Sequence, residues 1–353
     1  MRSYVVKQFG QEIEPVDAPD LQPSGTEVVI KVTRCGVCHS DIHLQDGFYE
    51  LGGDKRLTLG PRGGIFPPLV LGHEVLGRLV AKGPDAPIAD GELGKQFLIF
   101  PWIGCGQCDS CKRGEEQNCN KPAAIGVNKP GGYADQCLVP HPKYLIDFGN
   151  LDPAFAATLA CSGLTAYGAL KKIQCDREHD WLLILGAGGV GLSAVSLAKA
   201  IGFKNIAVAD IDPAKRALAE GAGAALSVDP RDPAAVAGFQ KTTKGVAGAI
   251  DFVGASSTAD FGIAALRRGG TFVGVGLMGG ETVISTVLLV LRNICIRASY
   301  VGSLEDLKEL VALARSGKVS PLPMELAPMA DVKSALARLR QGQVKGRLVL
   351  VGE

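Results

Sequence analysis

The chain has 353 residues, of which 46% are apolar, and its 37 basic and 36 acidic residues leave a net charge of +1. This length is too great for one compact core, so we expect about two domains. The balanced charge argues against a nucleic-acid or membrane-surface binder, which would carry a basic excess. No apolar segment follows Met1, so we expect a cytoplasmic protein. Its ten cysteines then favour metal binding over disulfides.

Chemically active residues first cluster at 38–43, which read Cys-His-Ser-Asp-Ile-His. A β-branched run at 27–33 predicts a strand before them, and we expect the cluster to open a short helix. The Cys38 thiolate suits zinc, Ser40 can carry a proton, and Asp41 can orient a neighbouring histidine ligand. Alone, the pattern is weak evidence for a metal site.

A long polar stretch follows at 48–68, rich in glycine and containing Lys55, Arg56 and Arg62. We predict a loop, and a loop this long is either functional or a solvated excursion.

Two later residues can complete a metal site with Cys38. His73 follows a glycine turn and precedes Glu74, and Cys161 lies in a helical pattern at 152–169. His73 can supply an imidazole and Cys161 a third soft ligand. Read alone, His73 is an ordinary histidine and Cys161 a small buried apolar residue.

Four cysteines with the spacing C-x2-C-x2-C-x7-C form the most specific motif: Cys105, Cys108, Cys111 and Cys119. Two intervening residues let consecutive thiolates converge on one ion, and four sulfurs close a tetrahedral site. The motif therefore predicts a structural zinc. An iron–sulfur cluster is the rival, but the x3 spacing and the following proline of a typical ferredoxin run are absent.

From residue 181 the pattern changes to alternating strands and helices. An apolar strand at 181–185 leads into a G-x-G-x-x-G fingerprint, then a helix, a strand at 205–209 and Asp210. The fingerprint residues are Gly186, Gly188, Gly189, Val190 and Gly191. In this context glycines let a pyrophosphate approach a helix N-terminus, and the acid binds the adenosine ribose. Further strands at 248–253 and 270–275 predict an α/β fold with a doubly wound parallel sheet.

The motifs, in this order, resemble the zinc-dependent medium-chain alcohol dehydrogenases over essentially the whole chain. The resemblance implies a mostly β, GroES-like catalytic domain at 1–160 and 298–353, with a structural zinc lobe at about 101–121. It implies a Rossmann NAD-binding domain at 161–297. It further implies a homotetramer, or alternatively a homodimer, in which an edge strand at 293–301 pairs with its copy.

By the same resemblance, Cys38, His73 and Cys161 hold the catalytic zinc. Glu74 matches an acid that approaches or replaces the metal-bound water, and Asp41 matches the partner of the histidine ligand. Ser40 and His43 match a proton relay. The implied cofactor contacts are His39 and Arg347 at the pyrophosphate, Asp210 and Lys215 at the adenosine ribose, and Thr165, Val253 and Val275 at the nicotinamide.

The implied function is reversible oxidation of an alcohol to an aldehyde or ketone, with two zinc ions per chain and NAD. The acid Asp210 is present and no arginine stands directly after it, so we expect NAD rather than NADP. The long insert at 48–68 and the sequence 101–105 resemble a branch that includes 6-hydroxyhexanoate dehydrogenases. On that basis the substrate is a primary alcohol or an ω-hydroxy acid, attracted by the cations of the insert, which has both ends near the zinc.

Two other functions compete with this one. A non-catalytic zinc module would use the four-cysteine lobe to contact protein or nucleic acid, but the cofactor fingerprint and balanced charge oppose it. A zinc-free quinone reductase of the same fold would lack the ligand set and the lobe.

Overall fold

The computed structural model describes residues 1–60 and 64–353. The strands are β1 Arg2–Val6, β2 Glu14–Asp17, β3 Val28–Gly36, β4 Phe48–Gly52, β5 Lys55–Thr58, β6 Leu69–Val70, β7 Glu74–Lys82, β8 Gln96–Ile99, β9 Gln136–Val139, β10 Leu145–Ile146, β11 Trp181–Leu185, β12 Asn205–Ala209, β13 Leu226–Val228, β14 Val246–Asp251, β15 Leu266–Gly274, β16 Cys295–Ala298, β17 Met324–Pro328 and β18 Arg347–Val351. The helices are α1 His39–Asp46, α2 Asp109–Lys112, α3 Pro153–Thr158, α4 Leu164–Leu170, α5 Gly189–Ala200, α6 Pro213–Ala222, α7 Pro233–Thr243, α8 Ser256–Ala265, α9 Thr286–Leu291, α10 Leu304–Arg315 and α11 Val332–Arg340.

One sheet combines strands from the first part of the sequence with the last two strands, β17 and β18. Its strand order is β10-β8-β7-β3-β18-β17, with β9 also paired to β3. Strand β18 runs antiparallel to β3, with Val349 opposite Gly36, and β7 pairs with the other edge of β3. Because Cys38 follows β3 and His73 precedes β7, this pairing brings the two segments to the same end of the sheet.

The second sheet is parallel, in the order β13-β12-β11-β14-β15-β16. This is the doubly wound order with its reversal between β11 and β14, where ligands bind beyond the carboxyl ends of the strands. Alternate residues of β11 face two different cores: Leu182 and Ile184 face one, and Leu183 and Leu185 the other. The predicted α/β fold is confirmed, because the apolar run at 181–185 is a strand covered on both faces.

Three helices begin at Asp-Pro pairs in the sequence. Asp152, Asp212 and Asp232 each accept a backbone N–H of the first turn, and proline occupies the next position. The carboxylate satisfies donors that a helix leaves unpaired, and the proline ring already has a helical φ.

A helical stretch at 153–170 connects the two sheets. It changes from α to π geometry at 159–163 and back to α, and Cys161 lies within the π turn. Pro153–Leu170 is long and apolar enough to cross a membrane, yet 83% of it is buried within the protein, as in a helix of a protein core.

The stretch predicted as a loop contains regular structure. Strands β4 and β5 form an antiparallel hairpin in which Phe48 faces Thr58. The tip contacts the other half of the protein, since a Cβ added to Gly52 would lie 2.9 Å from the backbone of Gly280. Polar composition concealed the hairpin because β5 is exposed throughout and β4 is only partly buried. Residues 61–63, including Arg62 of the predicted cation group, lie outside the described residues.

Candidate active site

Cys38, His73 and Cys161 converge in the interior of the protein. Their ligand atoms lie within 4.8 Å of one another, and all three residues are buried. Cys38 caps helix α1, His73 directly precedes β7, and Cys161 lies in the π turn. Two thiols and an imidazole are a typical donor set for a catalytic zinc with an open position.

Asp41 fixes the geometry around these ligands. Its fully buried carboxylate accepts hydrogen bonds from the Cys38 backbone N–H (3.0 Å), from the Gly72 N–H (3.3 Å) and from the Tyr133 hydroxyl (2.7 Å). The same carboxylate lies 3.3 Å from Nδ1 of His73. Asp41 therefore ties the two ligand segments together. Tyr133, which the sequence analysis missed, holds it in place from a distant loop.

The surroundings of the His73 ring nitrogens indicate whether a metal ion fits the cluster. The residue is completely buried, and neither ring nitrogen has a well-formed hydrogen bond within the described chain. Nδ1 faces Asp41, which leaves Nε2 with an uncompensated lone pair among thiols. A buried polar atom without a partner is costly, and a metal ion would satisfy it. The residues therefore fit zinc.

Glu74 and Arg347 form a buried ion pair beside the cluster. The Glu74 carboxylate accepts hydrogen bonds from the Arg347 guanidinium and from the Ser162 backbone N–H, the latter at 3.0 Å. Burial raises the pKa of Glu74, and the charge of Arg347 opposes that rise. Arg347 also contacts the cofactor fingerprint, because a Cβ added to Gly189 would lie 2.6 Å from its Cδ. Arg347 thus lies between the fingerprint and Glu74.

The predicted proton relay occupies helix α1. Ser40 lies in its first turn and His43 three residues later, on the same face. His43 is half-buried, with its ring 5.0 Å from that of Tyr49. Burial, and then the charge of His39, lowers the pKa of His43, which favours the neutral imidazole that a base requires.

The four cysteines of the lobe also converge: the Sγ atoms of Cys105, Cys108, Cys111 and Cys119 lie within 4.8 Å of one another. Sγ of Cys119 accepts backbone N–H groups from Cys105 and Lys121, both at 3.3 Å. Backbone N–H groups of Gln107 and Cys108 lower the pKa of Cys105 to about 6. Thiolates stabilised in this way suit a structural zinc.

The fingerprint has the close approaches that its glycines predict. A Cβ on Gly191 would lie 1.8 Å from the Gly186 carbonyl oxygen, and Gly186 has a φ of +86°. Gly188 precedes helix α5 and has free space around it, as a pyrophosphate-binding position requires. Val190 follows in the first turn of the helix.

Asp210 lies directly after β12. Its two carboxylate oxygens accept hydrogen bonds from the N–H groups of Ala187 (2.7 Å) and Asp212 (2.8 Å). These bonds hold the carboxylate beside the fingerprint, in the position of an acid that binds a ribose diol.

Two side chains predicted to contact the cofactor, His39 and Lys215, lie close enough to Arg347 for their charges to interact. Partial desolvation of the His39 ring lowers its pKa, and the charges of Arg347 and Lys215 lower it further. Lys215 belongs to helix α6, next to Asp210, and Thr165 is half-buried in helix α4.

The two predicted nicotinamide contacts are held by a residue that the sequence analysis missed. Asp251 is buried, and its carboxylate accepts the N–H groups of Val253 (2.9 Å) and Gly254 (3.0 Å). Its backbone carbonyl accepts the N–H of Val275 at 2.9 Å. Asp251 therefore fixes the backbone of the two loops that carry Val253 and Val275. The sequence could have indicated Asp251, because it ends strand β14 two residues before Val253.

Aromatic rings surround the ligand cluster, and sequence spacing did not reveal them. The Trp102 ring lies 5.3 Å from that of His73, and its indole N–H donates to the Ala160 carbonyl at 2.9 Å. Tyr300 meets Trp102 edge to face at 5.8 Å, and Tyr49 lies against His43. These three rings give the cluster an apolar wall.

The two described cations of the hairpin are paired with acids, which corrects the expectation that they are available to attract a substrate. Lys55 lies 3.5 Å from Glu281, and Arg56 lies 2.8 Å from Glu50. Glu281 comes from a segment far away in the sequence. A second correction concerns the ribose pocket: the fold brings Arg216 and Arg231 to the end of β12, although no arginine directly follows Asp210.

Comparison with known proteins supports the same assignment. Residues 24–148 match the family model of the alcohol dehydrogenase GroES-like domain, and residues 189–316 match that of the zinc-binding dehydrogenases. An NAD-dependent alcohol dehydrogenase of Sulfurisphaera tokodaii is 32% identical over 99% of this chain and 100% of its own length. An alcohol dehydrogenase of Geobacillus stearothermophilus is also 32% identical, over 99% of this chain and 98% of its own. The chain belongs to the zinc-containing medium-chain alcohol dehydrogenase family.

Solved structures agree with this family. The alcohol dehydrogenase of Aeropyrum pernix superimposes with a TM-score of 0.89 at 28% identity, covering 99% of this chain and 100% of that one. Acetophenone reductase of Geotrichum candidum, solved with NAD, gives a TM-score of 0.82 at 28% identity, with coverages of 99% and 96%. Nothing in these relatives favours the 6-hydroxyhexanoate branch over the family as a whole.

Proposed function

We propose that this chain reversibly oxidises a primary alcohol with an apolar carbon chain, with NAD as the hydride acceptor. Oxidation of a CH–OH group with NAD is the reaction for which the relatives are named. The observation that carries the proposal is the buried Cys38, His73 and Cys161 cluster at the end of a dinucleotide cleft. A non-catalytic zinc module needs no such cleft, and a zinc-free reductase needs no such ligands.

Zinc held by Cys38, His73 and Cys161 would supply Lewis acidity at the alcohol oxygen, and NAD would supply the hydride acceptor. Asp41 keeps the His73 ring in one orientation, so that Nε2 is directed toward the thiols. This arrangement is fixed before substrate arrives, because all of its hydrogen-bond partners are buried protein groups.

Ser40 and His43 handle the proton in this proposal. The Ser40 hydroxyl, in the first turn of α1, receives the proton of the substrate alcohol. His43 lies one helical turn further along α1, and its lowered pKa favours the neutral imidazole. It therefore accepts the proton that the Ser40 hydroxyl gives up and releases it to water.

The aromatic wall supports the choice of an apolar chain. Trp102 is 5% exposed beside His73, Tyr300 packs against Trp102 while remaining 56% exposed, and Tyr49 packs against His43. Burial of each methylene contributes about 0.8 kcal/mol. An ω-hydroxy acid has less support, since Lys55 and Arg56 already have acidic partners. The support for the 6-hydroxyhexanoate branch is limited to the length of the insert and residues 101–105.

The test compares Cys38→Ser with Cys35→Ser. Both cysteines are buried, but only Cys38 belongs to a ligand cluster. The wild type should contain two zinc ions per chain, one for each cluster, and should reduce NAD with neutral primary alcohols better than with the ω-hydroxy acid of equal length. Cys38→Ser should lose one zinc and nearly all turnover, measured by metal analysis and NADH absorbance, while still binding NADH.

Cys35→Ser should keep both zinc ions and most activity. Full zinc and near-normal turnover in Cys38→Ser would refute the catalytic site. A preference for the ω-hydroxy acid would refute only the substrate proposal.

A further inference from the structure

Two arginines share one carboxylate at the adenosine end of the cleft. Arg231 donates two hydrogen bonds to the Asp229 carboxylate, from Nε to Oδ1 (3.0 Å) and from Nη2 to Oδ2 (2.8 Å). Arg216 approaches the same Oδ2 with its Nη1 at 3.5 Å. The cluster, Arg216, Asp229 and Arg231, carries two positive charges and one negative charge.

The cluster is attached to the strand end that presents Asp210. Arg216 Nη1 donates to the backbone carbonyl of Asp210 at 2.7 Å, and Arg231 Nη2 donates to that of Ile211 at 2.9 Å. Strands β12 and β13 are paired in parallel, so Asp229 follows β13 as Asp210 follows β12. Both carboxylates thus lie at the same edge of the sheet, on neighbouring strands.

Asp229 is ionised and partly shielded from water. Hydrogen bonding from Arg231 holds the pKa of Asp229 well below its usual range. The side chain of Asp229 is 20% exposed and that of Arg216 is 21% exposed, whereas Arg231 is 64% exposed. Charges this close neutralise one another most effectively where water is partly excluded.

We infer that Asp229 is a second determinant of cofactor choice, acting with Asp210 to select NAD over NADP. Guanidinium groups are the usual partners of a phosphate and bind it with two hydrogen bonds. Asp210 repels a 2′-phosphate directly. Asp229 acts differently, because it occupies the two guanidinium groups that would otherwise bind that phosphate. The inference rests on the proposed use of NAD.

A purely structural role is the alternative. In that case Asp229 only anchors the loop after β12 through the two arginines, and its loss would weaken both cofactors equally. The two roles separate when a phosphate-bearing and a phosphate-free cofactor are compared on the same variants.

The experiment measures the binding of NADH and NADPH to zinc-loaded protein by fluorescence titration. The variants are Asp210→Gly, Asp229→Asn and the double variant; asparagine keeps the shape of Asp229 and removes its charge. Asp210→Gly should narrow the preference for NADH. Adding Asp229→Asn should strengthen NADPH binding by about tenfold or more, the range of a charged hydrogen bond, and change NADH binding little.

Two further variants complete the test. Arg231→Ala added to the Asp210→Gly/Asp229→Asn double variant should remove its gain in NADPH binding and spare NADH binding. Glu305→Gln removes an exposed charge on helix α10 that pairs with Lys308, and should leave both affinities unchanged.

Equal weakening of NADH and NADPH, or no gain in NADPH binding in the double variant, would overturn the inference while NAD use stands. Wild-type protein that binds neither nucleotide would overturn both.

Discussion

His43 shows how its surroundings set the chemistry of a single residue. It lies one helical turn from Ser40, half-buried against Tyr49, and its pKa is below the ordinary value for histidine. As a base it works only when neutral. Alcohol oxidation should therefore stay fully active down to the ordinary histidine range, about pH 6.5, and fall only at lower pH.

We predict that His43→Gln lowers kcat/KM for alcohol oxidation by about a hundredfold, the lower range for a general base. It should also remove the fall in kcat/KM at low pH that the protonation of His43 causes. Measuring kcat/KM from about pH 5 to about pH 9 tests this. His179→Gln is the matched control, because that histidine is 79% exposed and pairs with Asp176. An unchanged profile in His43→Gln would exclude the relay.

The residues that surround the ligands divide into those that the sequence predicted and those that it did not. Cys38, Asp41 and His43 share six positions, and together with the other motifs of the chain they indicated a site. Tyr133 reaches Asp41 from 92 residues away, and Trp102 reaches His73 through folding alone. Such partners have ordinary residue types and no local pattern, and only the packed structure identifies them.

Among the elements, the four-cysteine lobe depends on one buried acid. Glu116 accepts hydrogen bonds from the Gly104 N–H (2.9 Å), the Tyr144 hydroxyl (2.7 Å) and Lys143 Nζ (3.0 Å). Burial raises the pKa of Glu116, but these bonds outweigh burial and leave it below its ordinary value. Glu116 therefore attaches the lobe to the segment before β10.

Glu116→Ala should destabilise the protein by about 3 kcal/mol, since it leaves buried donors without partners, and should promote loss of one zinc. Because the pKa of Glu116 is lower in the folded state, its stabilisation is present above about pH 4.5 and is lost as the pH falls through the folded value. Melting temperature and zinc content test both effects. Glu115→Ala, an exposed neighbour paired with Arg113, should change neither; a stable, fully zinc-loaded Glu116→Ala would contradict the prediction.

Sequence patterns predicted the bounds of elements accurately where burial gives the apolar residues a regular spacing. Strands 181–185 and 205–209 were predicted with the observed bounds. The hairpin β4–β5 was missed because β5 is exposed, β4 is only partly buried, and neither strand has a regular apolar alternation. The π turn at 159–163 also has no sequence period of its own.

At the scale of the whole molecule, an apolar surface surrounds the edge strand β16. Val283 is 99% exposed, and Val287, Leu288, Val290 and Leu291 of helix α9 are more than half exposed. Among the described strands, β16 is the last of its sheet and is paired with β15. Contiguous exposed apolar groups beside an open strand edge are typical of a protein–protein interface.

We therefore expect a homo-oligomer, with a tetramer as the first expectation and a dimer as the second. Light scattering at micromolar concentration should show a mass above that of one chain, and Val290→Glu should shift it toward the monomer. Leu93→Glu, at an exposed apolar residue remote in sequence, should leave the mass unchanged. A monomeric wild type would contradict the expectation.

The position of β18 beside β3 has a consequence for the order of events during synthesis. The four cysteines of the lobe lie within fifteen consecutive residues, so a nascent chain can bind zinc there soon after they emerge from the ribosome. The catalytic ligands are spread from Cys38 to Cys161, and the sheet behind them closes only when β17 and β18 arrive. Contacts this distant in sequence form slowly. We therefore expect each molecule to pass through a stage in which the four-cysteine site can hold zinc while the catalytic site is still unfinished.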